Sequence, residues 1–185
     1  ERLIEEGIIN GETKMSMNGA VMVDTGIYTG RSPNDKFFVE EDYSKDNLWW
    51  GPVNRPVKDE VFKELLSKVL DYYNSDTNVK TYIFDGYGGD DPEYSLPIRI
   101  VARKAWQAHF SNNMFVRPVK DDLDSFSPEF TIINASEVVN QDYKKHGLNS
   151  STFILFNLKD KIAIIGGTEY GGEMKKGIFS VLHYL

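Results

Sequence analysis

No cysteine occurs among the 185 residues, which removes disulfides, thiolate metal sites and cysteine nucleophiles together. No apolar run approaches the ~20 residues that a membrane-spanning helix needs. The opening Glu1-Arg2-Leu3-Ile4-Glu5-Glu6 has neither the charge nor the apolar stretch of a secretory signal. Positive charge is short as well: 21 Lys and Arg stand against 28 Asp and Glu, a net charge of −7. Nucleic-acid and anionic-membrane surfaces draw on clustered cations, so neither is expected as a partner. No G-x-x-x-x-G-K-[ST] occurs, and Gly86-Tyr87-Gly88-Gly89 does not complete a dinucleotide fingerprint. Any nucleotide site is therefore expected outside this chain. A soluble, cytoplasmic protein is the default expectation, and 185 residues make one domain of ordinary size or part of a larger protein, long enough to bury a real core.

What is present reads as alternating strands and helices. Val21 to Asp24 and Lys36 to Glu40 suit strands, separated by the turn-forming Thr25-Gly26 and Gly30-Arg31-Ser32-Pro33-Asn34-Asp35. Pro56 to Tyr73 carries Val61, Leu65, Leu66, Val69, Leu70 and Tyr73 at helical spacing, with acid near its start. Val79 to Phe84 alternates like a strand and is expected to run into a loop, Asp85 to Pro92. Ile98 to Ala102 suits a strand, Lys104 to Asn112 a helix, and Phe130 to Asn134 a further strand. Phe153 to Asn157 and Lys161 to Ile165 flank the turn Leu158-Lys159-Asp160 as a hairpin, and Glu173 to Leu185 repeats apolar residues as one helix face. The expected fold is α/β, a mixed sheet with flanking helices. The chain opens without methionine on what reads as a helix tail, and stops at His183-Tyr184-Leu185 inside an amphipathic pattern with no cap. The expectation is a domain, residues 1–185, truncated at both ends of a longer protein.

Two places stand out chemically. Lys175 and Lys176 fall in the first turn of the last helix, where the macrodipole already presents partial positive charge at a penalty of a few tenths to ~1 kcal/mol per cation. A solvated helix face is one reading of the pair. The other is a site for an anion or a metal, with Tyr170 beside it and Gly171 and Gly172 allowing close backbone approach. If the two amines are close in space, each raises the cost of charging the other, and a neutral amine can ligate a metal. Arg31 sits in the tight turn Thr29-Gly30-Arg31-Ser32-Pro33. It reads either as an exposed turn residue or as a planar fork aimed at a carboxylate or phosphate. Asp85, Asp90 and Asp91 match no EF-hand spacing and read as a solvated acidic turn. His109, between Trp106 and Phe110, reads as a packed histidine.

Four stretches together resemble the ATP-dependent phosphoenolpyruvate carboxykinases: D-T-G-I-Y-T-G-R-S-P-N-D-K-F at 24 to 37, W-Q-A-H-F-S-N-N-M-F-V-R-P at 106 to 118, G-L-N-S at 147 to 150 and I-G-G-T-E-Y-G-G-E-M-K-K-G-I-F-S at 165 to 180. The resemblance implies the substrate-binding N-terminal domain of an enzyme of gluconeogenesis. That enzyme converts oxaloacetate and ATP to phosphoenolpyruvate, ADP and carbon dioxide, with manganese and with magnesium on the nucleotide. The P-loop domain would be absent, so this chain alone is expected to be inert and to bind no cofactor tightly. By position, Arg31 resembles the arginine at the substrate carboxylate or carbon dioxide end. Tyr170 resembles the tyrosine at the substrate's edge, and Gly172 the glycine whose N–H helps hold the substrate. Lys175 resembles the lysine near the transferred phosphoryl group, and Lys176 the one that ligates manganese through a neutral amine. Asn34 stands where the family usually has lysine, and His183 where asparagine is common; no metal role is assigned to His183. The alternatives are a GTP-dependent carboxykinase and a non-catalytic dicarboxylate- or phosphate-binding module.

Overall fold

Runs with no polar face, such as Phe153-Ile154-Leu155-Phe156, suit strands covered on both sides, and the structure bears this out. It is a computed structural model that describes residues 1–75 and 79–184. The chain begins with α1 (Arg2–Ile9), β1 (Thr13–Met15), β2 (Val21–Val23), β3 (Lys36–Val39), β4 (Arg55–Val57) and α2 (Asp59–Ser75). It continues through β5 (Tyr82–Gly88), β6 (Leu96–Ala102) and α3 (Ala105–Met114), then β7 (Phe130–Ala135), β8 (Phe153–Asn157), β9 (Ile162–Gly166) and α4 (Gly172–Tyr184). Strands β1 and β2 form a small antiparallel ribbon, and the other seven make one mixed sheet in the order β4-β3-β8-β9-β7-β6-β5.

Strand parity divides the core into two halves. Phe37, Val39, Ile133, Leu155 and Ile164 point to the face covered by α2, where Phe62, Leu65 and Val69 pack on them. Their neighbours Phe38, Ile132, Ile154 and Ile165 point to the opposite face, against Met174, Ile178 and Val181 of α4. Side chains that alternate across a pleat account for this division. α3 packs near β5, β6 and α4. The expected mixed α/β architecture is correct, with helices on both faces.

Two expected boundaries shift. Residues 56 and 57 do not begin the helix, because Arg55–Val57 pairs in parallel with β3 at the edge of the sheet; Pro56, which has no N–H to give, is tolerated on such an edge. The expected loop from Asp85 is strand as far as Gly88: β5 pairs antiparallel with β6, with Asp85 opposite Arg99. Arg99 donates to both Asp85 carboxylate oxygens at 2.7 Å. Leu185, the expected end of the last helix, lies outside the described residues.

The topology assembles one edge of the sheet. β3 and β8 run parallel, β9 runs against β8, and β7 and β6 run with β9. The chain entering β3 and β8 therefore meets the chain leaving β9, β7 and β6 at the same edge. Residues 24–35, 147–152 and 167–171 come together there.

Candidate active site

Hydrogen bonds fasten the three segments to one another. The Tyr28 hydroxyl and Thr152 Oγ1 lie 2.7 Å apart, and Thr152 Oγ1 donates to the Gly167 carbonyl at 3.1 Å. Asp35, 2% exposed, accepts from Asn149 Nδ2 and Ser150 Oγ, each at 2.9 Å, and from Ser32 Oγ. The turn around Arg31 is thus tied to the stretch entering β8. From β4, Arg55 donates to the Asn34 carbonyl at 3.0 Å and to Asn34 Oδ1 at 3.2 Å. On the far side, Lys104 reaches Glu169 at 2.8 Å and steadies the segment that precedes Tyr170.

The first turn of α4 stands in the middle of this edge. Successive helical side chains diverge by about 100°, so the adjacent lysines serve different sides. Lys176 lines a cavity of about 500 Å³ with Arg31, Lys36, Trp49, Phe179 and His183. Lys175 lines a neighbouring one of about 270 Å³ with Tyr170, Gly171, Gly172, Trp106 and Phe110. The structure thus joins Arg31 with Lys176, and Tyr170 and Gly172 with Lys175, in two cavities that flank one helix turn. Aromatic rings lie close to both glycines. A Cβ on Gly172 would lie 2.4 Å from Tyr170 Cε1, and one on Gly171 would lie 3.2 Å from Trp106 Cζ3.

Two residues of this site were not singled out from the sequence. Glu173, 6% exposed, points back from α4 and accepts the Ser32 backbone N–H, so it latches the Arg31 turn to the helix. Burial raises its pKa above the ordinary carboxyl value, and repulsion from Asp35 adds to this. The Ser32 N–H, Arg31 and Lys36 oppose the rise. Lys36, at the start of β3, has its ammonium pKa lowered by burial and by repulsion from Arg31 and Lys176, against the pull of Glu173. An acid in a helix's first turn and a lysine at a strand start are ordinary in sequence; only the folded edge brings them together.

The raised pKa of Glu173 has a direct consequence for stability. The folded state holds more protons than the unfolded one between the ordinary carboxyl value and Glu173's raised value, so this group's contribution falls as pH rises through that window. Glu173→Gln keeps an acceptor for Ser32 and removes the charge. Its urea midpoint should exceed the parent's at pH 8, with the difference shrinking towards pH 4. A variant less stable than the parent at pH 8 would refute the assignment.

The remaining candidates take structural places. Asp85 is an ion-pair partner within the sheet, as described above, rather than part of an acidic turn. His109 is partly buried on α3, with Nε2 3.0 Å from Asn113 Nδ2, and burial lowers its pKa. His183 stacks on Phe179 at 6.2 Å between centroids, and the Lys176 ammonium lies 3.5 Å from the Phe179 ring centroid. Among the described residues no three His, Asp or Glu side chains cluster to hold a metal ion. Lys176 and His183 line the same cavity, and among the described residues no carboxylate lines it with them.

Comparison with known proteins agrees with the motifs that frame this edge. A family model described as phosphoenolpyruvate carboxykinase matches residues 1–185. A phosphoenolpyruvate carboxykinase (ATP) of Leptospira biflexa is 53% identical over 184 residues, covering 100% of this chain and 34% of its own length. Enzymes of the same name from Campylobacter lari and Sulfurimonas denitrificans are 46% and 45% identical over 184 residues, each again with 100% of this chain and 34% of the relative covered. The chain spans about a third of the length of the curated relatives it matches.

Proposed function

The chain belongs to the ATP-dependent phosphoenolpyruvate carboxykinase family, and from that premise we propose that it is the N-terminal, substrate-binding part of an enzyme that converts oxaloacetate and ATP to phosphoenolpyruvate, ADP and carbon dioxide. The observation that carries the reading is a cavity lined by Arg31, Lys36 and Lys176 in an otherwise acidic chain. The ATP form of the relatives' name favours ATP over GTP as the phosphoryl donor, and membership of an enzyme family disfavours a non-catalytic module. A cytoplasmic location belongs to the same proposal; among the described residues no helix is long and apolar enough to cross a membrane.

In the proposed reaction, the bond from oxaloacetate to its departing carboxylate breaks and carbon dioxide leaves. The electron pair stays behind as an enolate, whose oxygen attacks the γ-phosphorus of ATP and expels ADP. Negative charge develops on the enolate oxygen and spreads over the moving phosphoryl group, and fixed cations act most strongly where charge develops. In this reading Arg31 grips a substrate carboxylate with its planar fork. The Tyr170 hydroxyl and the Gly172 N–H hold the substrate's edge. Lys175 offsets charge on the phosphoryl group. Lys176 would offer one nitrogen to a divalent manganese ion, which would supply Lewis-acid stabilisation of the developing enolate, alongside the magnesium that accompanies ATP. The two lysines at the dipole-opposed end of α4 are tolerated because these anions repay their placement.

The test is a calorimetric titration of phosphoenolpyruvate into the chain at low salt. Binding is expected in the parent, and Arg31→Ala should weaken it by at least tenfold, since loss of one charge-assisted pair costs about 1.5–3 kcal/mol. Equal affinity in the two proteins would remove Arg31 from the carboxylate.

A further inference from the structure

Strand parity sets Lys36 apart from the other charged residues of the edge. Phe37 and Val39 lie under α2, while Phe38 lies under α4. Lys36 shares the parity of Phe38, so its stem runs along the α4 face. Its ammonium lies 5.3 Å from the Phe38 ring centroid, in the wall of the cavity that Arg31 and Lys176 also line. A lysine on open surface extends its head into water, but this one is half-buried beside two other cations. Among the described residues, none of the three is within ion-pair distance of a carboxylate. Glu173, the one carboxylate that acts on Lys36 through its charge, already accepts the Ser32 N–H, and Asp35 is taken up by Ser32, Asn149 and Ser150. The cavity wall therefore holds more positive charge than the protein around it neutralises. Like charges in a partly desolvated wall repel more strongly than in water, and a bound anion removes that repulsion.

We infer that Lys36 is a direct anion contact of this cavity, acting with Arg31 and, in the metal-free chain, with the Lys176 ammonium on a ligand that carries at least two negative charges. The inference rests on the proposed substrate site and adds to it a residue and a charge class. Phosphoenolpyruvate, with a carboxylate and a phosphate, fits that class, whereas a monoanion leaves part of the wall uncompensated.

The experiment compares the parent chain with Lys36→Met, Lys36→Arg and Arg31→Ala at pH 8. Thermal unfolding is followed without ligand, and titrations use phosphoenolpyruvate and inorganic phosphate as probes. Lys36→Met keeps the apolar stem and removes the charge. Without ligand it should melt at or above the parent temperature, while its affinity for phosphoenolpyruvate falls at least tenfold. Lys36→Arg should recover affinity to within a few-fold. A Lys36→Met chain that binds as tightly as the parent, while Arg31→Ala does not, overturns the inference and leaves the substrate reading standing. Parent binding of inorganic phosphate through Lys36, with none of phosphoenolpyruvate, keeps the inference and overturns that reading. A lowered melting temperature of ligand-free Lys36→Met marks Lys36 as a packing residue and overturns the inference, as does a parent chain that binds neither anion.

Discussion

Phe156→Ala should lower the unfolding free energy by about 3–5 kcal/mol, the usual cost of emptying a fully buried aromatic site. Phe156 is 0% exposed at the centre of the sheet. Its ring stacks on Phe38 at 4.9 Å between centroids and lies 6.5 Å from Phe130. The helix above cannot fill the gap, because the residue that faces the ring is Gly177, where even an added Cβ would stand only 3.3 Å from Phe156 Cζ. The cavity therefore persists, and the cost stays near the upper part of the range. A domain has about 5–15 kcal/mol in all, so this one substitution takes a large share. Urea unfolding should show a much lower midpoint at an unchanged slope. A loss below about 1 kcal/mol would mean that the core under α4 collapses onto the gap, contrary to the packing described. Under the proposed function, phosphoenolpyruvate binding should weaken as well, because the first turn of α4 carries both lysines.

Local signals in the sequence reached most of the elements where pattern and turn chemistry agreed. The β8–β9 hairpin and α4 emerged nearly to the residue, since continuous apolar runs, a polar turn and a helical repeat leave few alternatives. β5 was misjudged because Asp85, Gly86 and Gly88 are turn-forming types. In the fold they serve packing: a Cβ on Gly86 would meet Phe84 Cζ at 2.5 Å, and one on Gly88 would meet Ile178 Cγ2 at 2.8 Å. Asp85 is held by Arg99 across the ladder. Tertiary demand overrode turn propensity. β4 was hidden for a related reason, since three residues with a central proline carry no strand signal until β3 offers an edge. Arg31 and the two lysines drew notice because their motifs are unusual for turn and helix, and the fold places them beside the two cavities. The division into two cavities was not, because it depends on what lies on each side of α4. Lys36 and Glu173 were missed because their significance lies in long-range contacts that no local pattern encodes.

Asp35→Ala should test whether the Arg31 turn is built by its buried carboxylate. Asp35 accepts from three side chains, two of them more than a hundred residues away in the chain, Asn149 and Ser150. Hydrogen bonds to a charged group contribute about 1.5–3 kcal/mol each when buried. Asn149 is exposed and Ser150 half-buried, so water recovers part of what they lose, and a net cost of about 2–4 kcal/mol is expected. The effect on the site should exceed the effect on the rest of the fold. Ser32 would keep its backbone bond to Glu173 and lose its side-chain anchor, leaving the arginine turn held by Glu173 of α4 and Arg55 of β4. Asp35→Asn separates the contributions: an amide oxygen in place of Oδ1 still accepts from Asn149 and Ser150, but the charge is lost and an NH2 group replaces the oxygen that accepts from Ser32 Oγ. Under the proposed function, alanine and asparagine variants should both lose phosphoenolpyruvate affinity, and asparagine should not restore the parent. If either variant unfolds at the parent's urea midpoint and binds as the parent does, the turn is shaped by its own glycine and proline. In that case the contact between residues 35 and 149–150 follows from the fold and does not create the site.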